Sequence, residues 1–110
     1  MVLSLKRGDI YWVNLDPTIG SEIKKKRPCI IIGATPINEA RRTVVVVPLS
    51  SAGKPHPPLT ISIKCLKRQV VAVCDQIRAV DKSRLVEKIE SASQDDISAI
   101  EKGLRQTLAL

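Results

Sequence analysis

Arg27 stands at the junction of a polar stretch and an apolar one. Before it runs Leu15–Pro28, LDPTIGSEIKKKRP; after it comes the strand-like PCIII, Pro28–Ile32. An arginine placed there has a plain use. The strand fixes the guanidinium while the loop folds over a substrate. The planar fork suits phosphate oxygens and stays charged when partly buried. Within the loop, Asp16-Pro17 sets a turn and Gly20 permits a tight backbone, with Ser21 and Glu22 next as polar groups. Lys24, Lys25 and Lys26 read as a solvated basic run, suited to holding a polyanion rather than to catalysis. A second segment, Pro48–Gly53 (PLSSAG), ends a valine run with Ser50 and Ser51. Such hydroxyls can bind a phosphate or position a ribose, or simply satisfy the local backbone. A third, Val73–Asp81 (VCDQIRAVD), brings Asp75 and Gln76 out of an apolar strand with Arg78 close behind. They suit base edges or the orientation of an arginine; the plainer alternative is a surface Asp–Arg pair of little energetic weight. His56, in the extended KPHPP loop, reads as an exposed residue able to touch a substrate rather than as a catalyst.

Several chemistries lack their residues. There is one histidine, so a paired-histidine ribonuclease is excluded. No carboxylate cluster suits a two-metal phosphodiesterase, and no Cys or His pair has zinc-ligand spacing. Gly53-Lys54 resembles the end of a phosphate loop, but position 48 is Pro48 where that motif needs its first glycine. A catalyst here works with arginine, hydroxyls, isolated acids and backbone groups, and no metal or cofactor is expected.

Charge points to a polyanion. Of 110 residues, the first 84 hold 15 Lys and Arg against 6 Asp and Glu, and the last 26 hold 3 against 5, for a net charge of +7. A cationic body with a mildly acidic tail fits RNA or DNA; lysines that only keep the protein soluble are the plainer and slightly less favoured alternative. Three cysteines and no leader-like segment fit a reduced, cytoplasmic protein without a disulfide framework or a membrane span, with Cys29 and Cys74 buried. The length suits one domain, residues 1–110.

The elements that must hold these groups are short strands. Asp9–Leu15, Pro28–Ile32, Thr43–Leu49, Leu59–Ile63 and Val70–Cys74 are rich in branched residues and separated by Gly, Pro, Asn and Lys. Ile37–Arg42 and Lys82–Lys88 are expected as helical turns. Ser93 with Asp96 predicts the start of a C-terminal helix, Asp95 and Asp96 complement its dipole, and Ile97, Ile100, Leu104 and Leu108 share a face. Tyr11 and Trp12, adjacent on a strand, must face opposite sides: one core, the other free to line a groove. Gly103 weakens the helix, so packing must hold it. The series predicts a mainly β fold, a bent sheet or partly open barrel with one C-terminal helix.

At these segments the sequence resembles the MazF/PemK family of toxin–antitoxin ribonucleases. RGDIYWVNLDPTIGSE (Arg7–Glu22), RPCIII, VVVVPLSS and VCDQIRAVD match its motifs in order, closer to the PemK/Kid branch than to the shortest MazF forms. The resemblance implies an SH3-like or CcdB-like small β-barrel, a homodimer, an acidic antitoxin partner and sequence-selective, metal-independent cleavage of single-stranded RNA. By position it implies that Arg27 is the catalytic arginine, Ser50 the active-site hydroxyl with Ser51 beside it, Glu22 a loop acid, and Asp75 and Gln76 an acid and amide at the substrate. The general base stays open between Glu22 and Asp75. Two positions depart: Ser21 stands where the PemK/Kid branch often has histidine, and Val73 where it has arginine. The rival readings are a CcdB-like gyrase inhibitor without enzymatic activity and a plain nucleic-acid-binding module.

Overall fold

The computed structural model describes residues 5–16, 20–22 and 25–110. Its strands are β1 (Asp9–Asn14), β2 (Lys26–Ile31), β3 (Thr43–Ser50), β4 (Thr60–Cys65), β5 (Arg68–Val73), β6 (Arg78–Asp81) and β7 (Leu85–Ser91). Helix α1 (Thr35–Ala40) lies between β2 and β3, and α2 (Gln94–Leu108) follows β7. Single 3-10 turns occupy Cys74–Gln76 and Lys82–Arg84. The strands form one antiparallel sheet in the order β4-β5-β3-β2-β1-β7, with β6 also paired to β3. It is the expected mainly β fold: a curled half-barrel with a C-terminal helix.

The valine run of β3 is continuous because both faces of the strand are buried. Val47 and Leu49 pack with Ile10, Ile30, Ile63 and the α2 residues Ile100 and Leu104. Val44 and Val46 pack on the other side with Tyr11, Val13, Cys29 and Ile31. Tyr11 is buried and Trp12 half-buried, as adjacency on β1 required. All three cysteines are buried free thiols, Cys65 included.

Helix α2 starts where expected: Ser93 Oγ accepts the Asp96 N–H at 3.1 Å. The Asp96 carboxylate does not turn back to complete a capping box. It accepts the backbone N–H of Lys64, on β4, at 3.1 Å. Glu90 of β7 accepts the Leu66 N–H at 2.6 Å. Two carboxylates thus bridge toward β4, the edge of the sheet opposite β7. Leu108 ends the predicted apolar face but is exposed near the helix terminus. In α1, one residue-pair earlier than expected, the buried Asn38 amide donates to the Gly33 carbonyl at 2.9 Å.

Lys82–Lys88 is not a helical turn throughout. Only Lys82–Arg84 coils, and Leu85 already begins β7, which pairs with β1 through two register shifts. Lys and Glu favour helix locally, but pairing with the β1 edge overrides a preference of a few tenths of a kcal/mol per residue. Between β4 and β5 the chain turns on two residues, Leu66 (φ 54°) and Lys67 (φ 62°), both left-handed. This mirror-image turn matches the strand twist and favours Asn-Gly; for other residues a left-handed backbone costs roughly 1–2 kcal/mol each.

Candidate active site

The long loop after β1 is clasped at its neck. The Leu15 N–H donates to the Lys25 carbonyl at 3.0 Å, and the Lys25 N–H to the Asp16 carboxylate at 2.9 Å. From the turn just before β7, the strand beside β1, the Arg84 guanidinium donates to the carbonyls of Asn14, at 3.1 Å, and Asp16. Lys25, held at φ 68°, leads straight into β2, whose pairing with β1 sets Lys26 opposite Asn14 and Arg27 opposite Val13. Arg27 therefore leaves a fixed strand start, as the sequence implied. Arg84 had no signal beyond being one more basic residue.

Beside it opens a cleft of about 300 Å³. Buried Leu49 and Cys65 form its floor, and Trp12, Leu66 and Val70 add apolar wall. Lys25, Lys26, Arg27 and Arg68 supply cations around it, and Ser50 and Ser51 hydroxyls. The Lys26 ammonium lies 5.7 Å from the centre of the Trp12 ring, within cation–π range. The recorded β2–β3 pairing ends at Cys29 and Pro48, two residues short of Arg27 on one strand and of Ser50 on the other, and both residues line the cleft. Ser50 Oγ accepts the Ala52 N–H and donates to the Ala52 carbonyl, each at 3.2 Å. The accepted bond holds the oxygen still, while the hydroxyl hydrogen can rotate to another acceptor.

A second, smaller concavity of about 200 Å³ is lined by Glu22, Pro48, Asp75, Gln76, Ile77 and Arg78. Its origin is a change of partner along β3. Val46 pairs with Arg78 on β6, whereas Leu49 pairs with Ala72 on β5. The Cys74–Gln76 turn fills the gap between those partners, and Pro48, which has no N–H for a ladder bond, stands at the interruption. Glu22 and Asp75, the two candidate bases, so share one concavity.

Cys29 connects the two regions. Burial pushes its thiol up to about 12, while the Arg78 and then the Arg27 guanidinium pull it down. Two cations from strands on either side of β3 thus act on one buried sulfur. Burial also raises Cys74, to about 11, with the neighbouring Asp75 charge adding to it.

Of the residues singled out from the sequence, Lys25, Lys26, Arg27, Ser50 and Ser51 gather at the cleft. Glu22, Asp75, Gln76 and Arg78 gather at the smaller concavity. Ser21 is exposed and lines neither. His56 is exposed as expected, its N–H bound to Thr60 Oγ1 at 2.6 Å, and it too lines neither. Lys24 lies outside the described residues. Leu66 and Arg68 were not anticipated; only the turn between two strands could have pointed to them. Among the described residues, no three His, Cys, Asp or Glu side chains gather as a metal site would need. No helix among them is long and apolar enough to cross a membrane.

The chain resembles known proteins along nearly its whole length. Residues 6–108 match the model of the PemK-like, MazF-like toxins of type II toxin–antitoxin systems. The endoribonuclease EndoA of Bacillus subtilis (strain 168) is 31% identical over 111 residues, covering 96% of each chain. A MazF crystal structure from Deinococcus radiodurans superposes with a TM-score of 0.87 at 23% identity, over 98% of this chain and 99% of that one. An endoribonuclease in complex with its cognate antitoxin, from a mycobacterial species, superposes at 0.80 with 19% identity, over 96% and 95% of the two chains. With 103 of its residues inside the family model, the chain belongs to the PemK-like, MazF-like toxins of type II toxin–antitoxin systems.

Proposed function

We propose that this toxin is an endoribonuclease that cuts single-stranded RNA without a metal, through attack of a ribose 2′-OH on the adjacent phosphorus. The bond to the 5′-oxygen breaks, leaving a 2′,3′-cyclic phosphate and a free 5′-OH. The observation that carries this reading is that Arg27 and Ser50 line one cleft ringed by cations. Arg27 stabilises charge on the non-bridging oxygens and helps protonate the leaving oxygen. Such electrostatic help is worth roughly 3–4 kcal/mol in a partly dry site. Ser50 turns its hydroxyl hydrogen from the Ala52 carbonyl to a phosphate oxygen. Glu22 or Asp75 accepts the 2′-OH proton, the choice between them staying open. Lys25, Lys26, Ser51, Gln76 and Arg78 hold the strand, since splayed single-stranded bases can be read by loops and amides.

We read the toxin as a cytoplasmic homodimer held in check by an acidic antitoxin; a relative solved in complex with its cognate antitoxin supports the antitoxin partner. The cationic body suits such a partner, which would reach the RNA surface by charge-assisted encounter. The deciding experiment incubates purified protein with long single-stranded RNA in EDTA. Cleavage that persists, leaves a cyclic phosphate and fails at a 2′-O-methylated cut site is the expected result. Activity lost in EDTA and restored by magnesium would sink the mechanism. A toxic dimer that cuts no RNA would move the weight to the gyrase-inhibitor reading.

A further inference from the structure

The cleft beside Arg27 carries more apolar surface than phosphate chemistry needs. Phosphate asks for guanidinium, ammonium and hydroxyl groups. Here Trp12, Leu49, Leu66 and Val70 lie among them. Leu66 is the least expected. It is a large apolar side chain, 53% exposed, in a turn whose φ of 54° favours asparagine or glycine. Its backbone is fastened by the Glu90 carboxylate. The chain thus keeps an exposed leucine in a backbone state that disfavours it, at the rim of the cleft that holds Arg27.

We propose that this cleft is a nucleobase subsite, and that Leu66 is its specificity-determining wall. The inference rests on the RNA-cleaving reading above and adds to it what the site reads. An unstacked base adjoining the scissile phosphate enters between Trp12 and Leu66, while Lys26, Arg27 and Arg68 hold the phosphates on either side. Charge complementarity and continuity with Arg27 select this occupant. An acidic protein segment would match the cations but brings no phosphate to Arg27, and a duplex could not splay a base into the cleft. Lys26 over the Trp12 ring sets a cation and an aromatic surface side by side, the pairing that single-stranded nucleic acid presents in reverse as base and phosphate. A cleft of about 300 Å³ has room for one base with its ribose.

Trp12 is the only tryptophan, so its fluorescence reports on the cleft directly. The probes are uncleavable 2′-O-methyl oligonucleotides of U, C, A and G, and an abasic oligomer of the same length and charge. Base-containing probes are expected to change Trp12 fluorescence and to bind about tenfold more tightly than the abasic one, from the usual value of stacking one base. The substitution Leu66→Asn suits the turn, so the thermal midpoint should hold or rise. It should nevertheless abolish the preference for base over abasic probe and flatten the differences among the four bases. Equal affinity for base and abasic probes with cleavage of long RNA intact overturns the subsite alone. So does a Leu66→Asn protein that keeps the full base preference. A protein that neither binds these probes at low salt nor cuts RNA overturns the subsite together with the reading it rests on.

Discussion

Gly103 and Ile61 meet without room for a methyl group: a Cβ on Gly103 would stand 2.8 Å from Ile61 Cγ1 and 3.2 Å from Cys74 Sγ. This close approach of α2 to β4 and to the Cys74–Gln76 turn helps hold Asp75 and Gln76 in place. Helix propensity alone favours Gly103→Ala by about 1 kcal/mol. Overpacking against a β4 side chain costs roughly 1–3 kcal/mol. The substitution is therefore expected to destabilise, read as a lower urea midpoint. Adding Ile61→Val should recover part of the loss. A midpoint raised by Gly103→Ala would show that Ile61 gives way freely.

Arg27 tests the assignment of the cleft. It is the second residue of β2 and lines the cleft at partial exposure, so Arg27→Ala leaves the core intact. Cleavage should fall by roughly 100- to 1000-fold with the thermal midpoint nearly unchanged. Lys26→Ala should mainly weaken RNA binding and reduce its salt dependence by about one phosphate contact. The reverse pattern would put the catalyst elsewhere.

Arg84 acts on the same site from a distance. Its guanidinium joins the carbonyls of Asn14 and Asp16, and the Asp16 carboxylate holds the Lys25 N–H. In Arg84→Ala the Lys25 amide should exchange hydrogen faster and cleavage should drop about tenfold, a loosened loop weakening alignment at the reacting atoms. Both bonds come from one guanidinium nitrogen, so Arg84→Lys, whose ammonium can also donate to two carbonyls, should recover most of the loss. Unchanged exchange at Lys25 would remove Arg84 from the site's support.

The buried thiols give a pH signature. Cys29 rises from 9.0 to about 12 in the folded chain because burial disfavours the thiolate. Between those values the unfolded chain loses the proton and the folded one keeps it, so stability is full below pH 9 and falls as pH rises toward 12. Cys74 adds to the effect up to about 11. Urea midpoints measured at pH 8 and near pH 10.5 should separate, and Cys29→Ala should narrow the gap. A gap unchanged by that substitution would place the titration in other groups.

The parts legible in the sequence are those where local pattern and tertiary demand agree. The branched runs of β1, β2, β3 and β5 became strands, and Ser93 caps α2. Arg27 and Ser50 were legible because each ends a strand next to a loop. β6 and β7 were not, for different reasons. RAVD is four residues long and buries only Val80 fully; LVEKIES alternates weakly, its helix-forming Lys and Glu lying on an edge. Gly103 read as a weak point of a helix because the side chain it makes room for, Ile61, lies on a strand about forty residues earlier. The division of the candidate residues into two concavities followed from β3 changing partners at Pro48, a matter of pairing that no spacing records.

The bonds from Asp96 to Lys64 and from Glu90 to Leu66 have an effect beyond the single molecule. β4 is an outer strand, and outward N–H groups on such a strand can recruit an extended segment from another chain. One of them, that of Lys64, is already taken by Asp96, and Glu90 takes the Leu66 N–H in the adjoining turn; both carboxylates also set negative charge where an incoming carbonyl would approach. The bonds that finish one barrel thereby discourage growth of the sheet into a fibre, leaving association to side-chain surfaces that an inhibitor can cover and release.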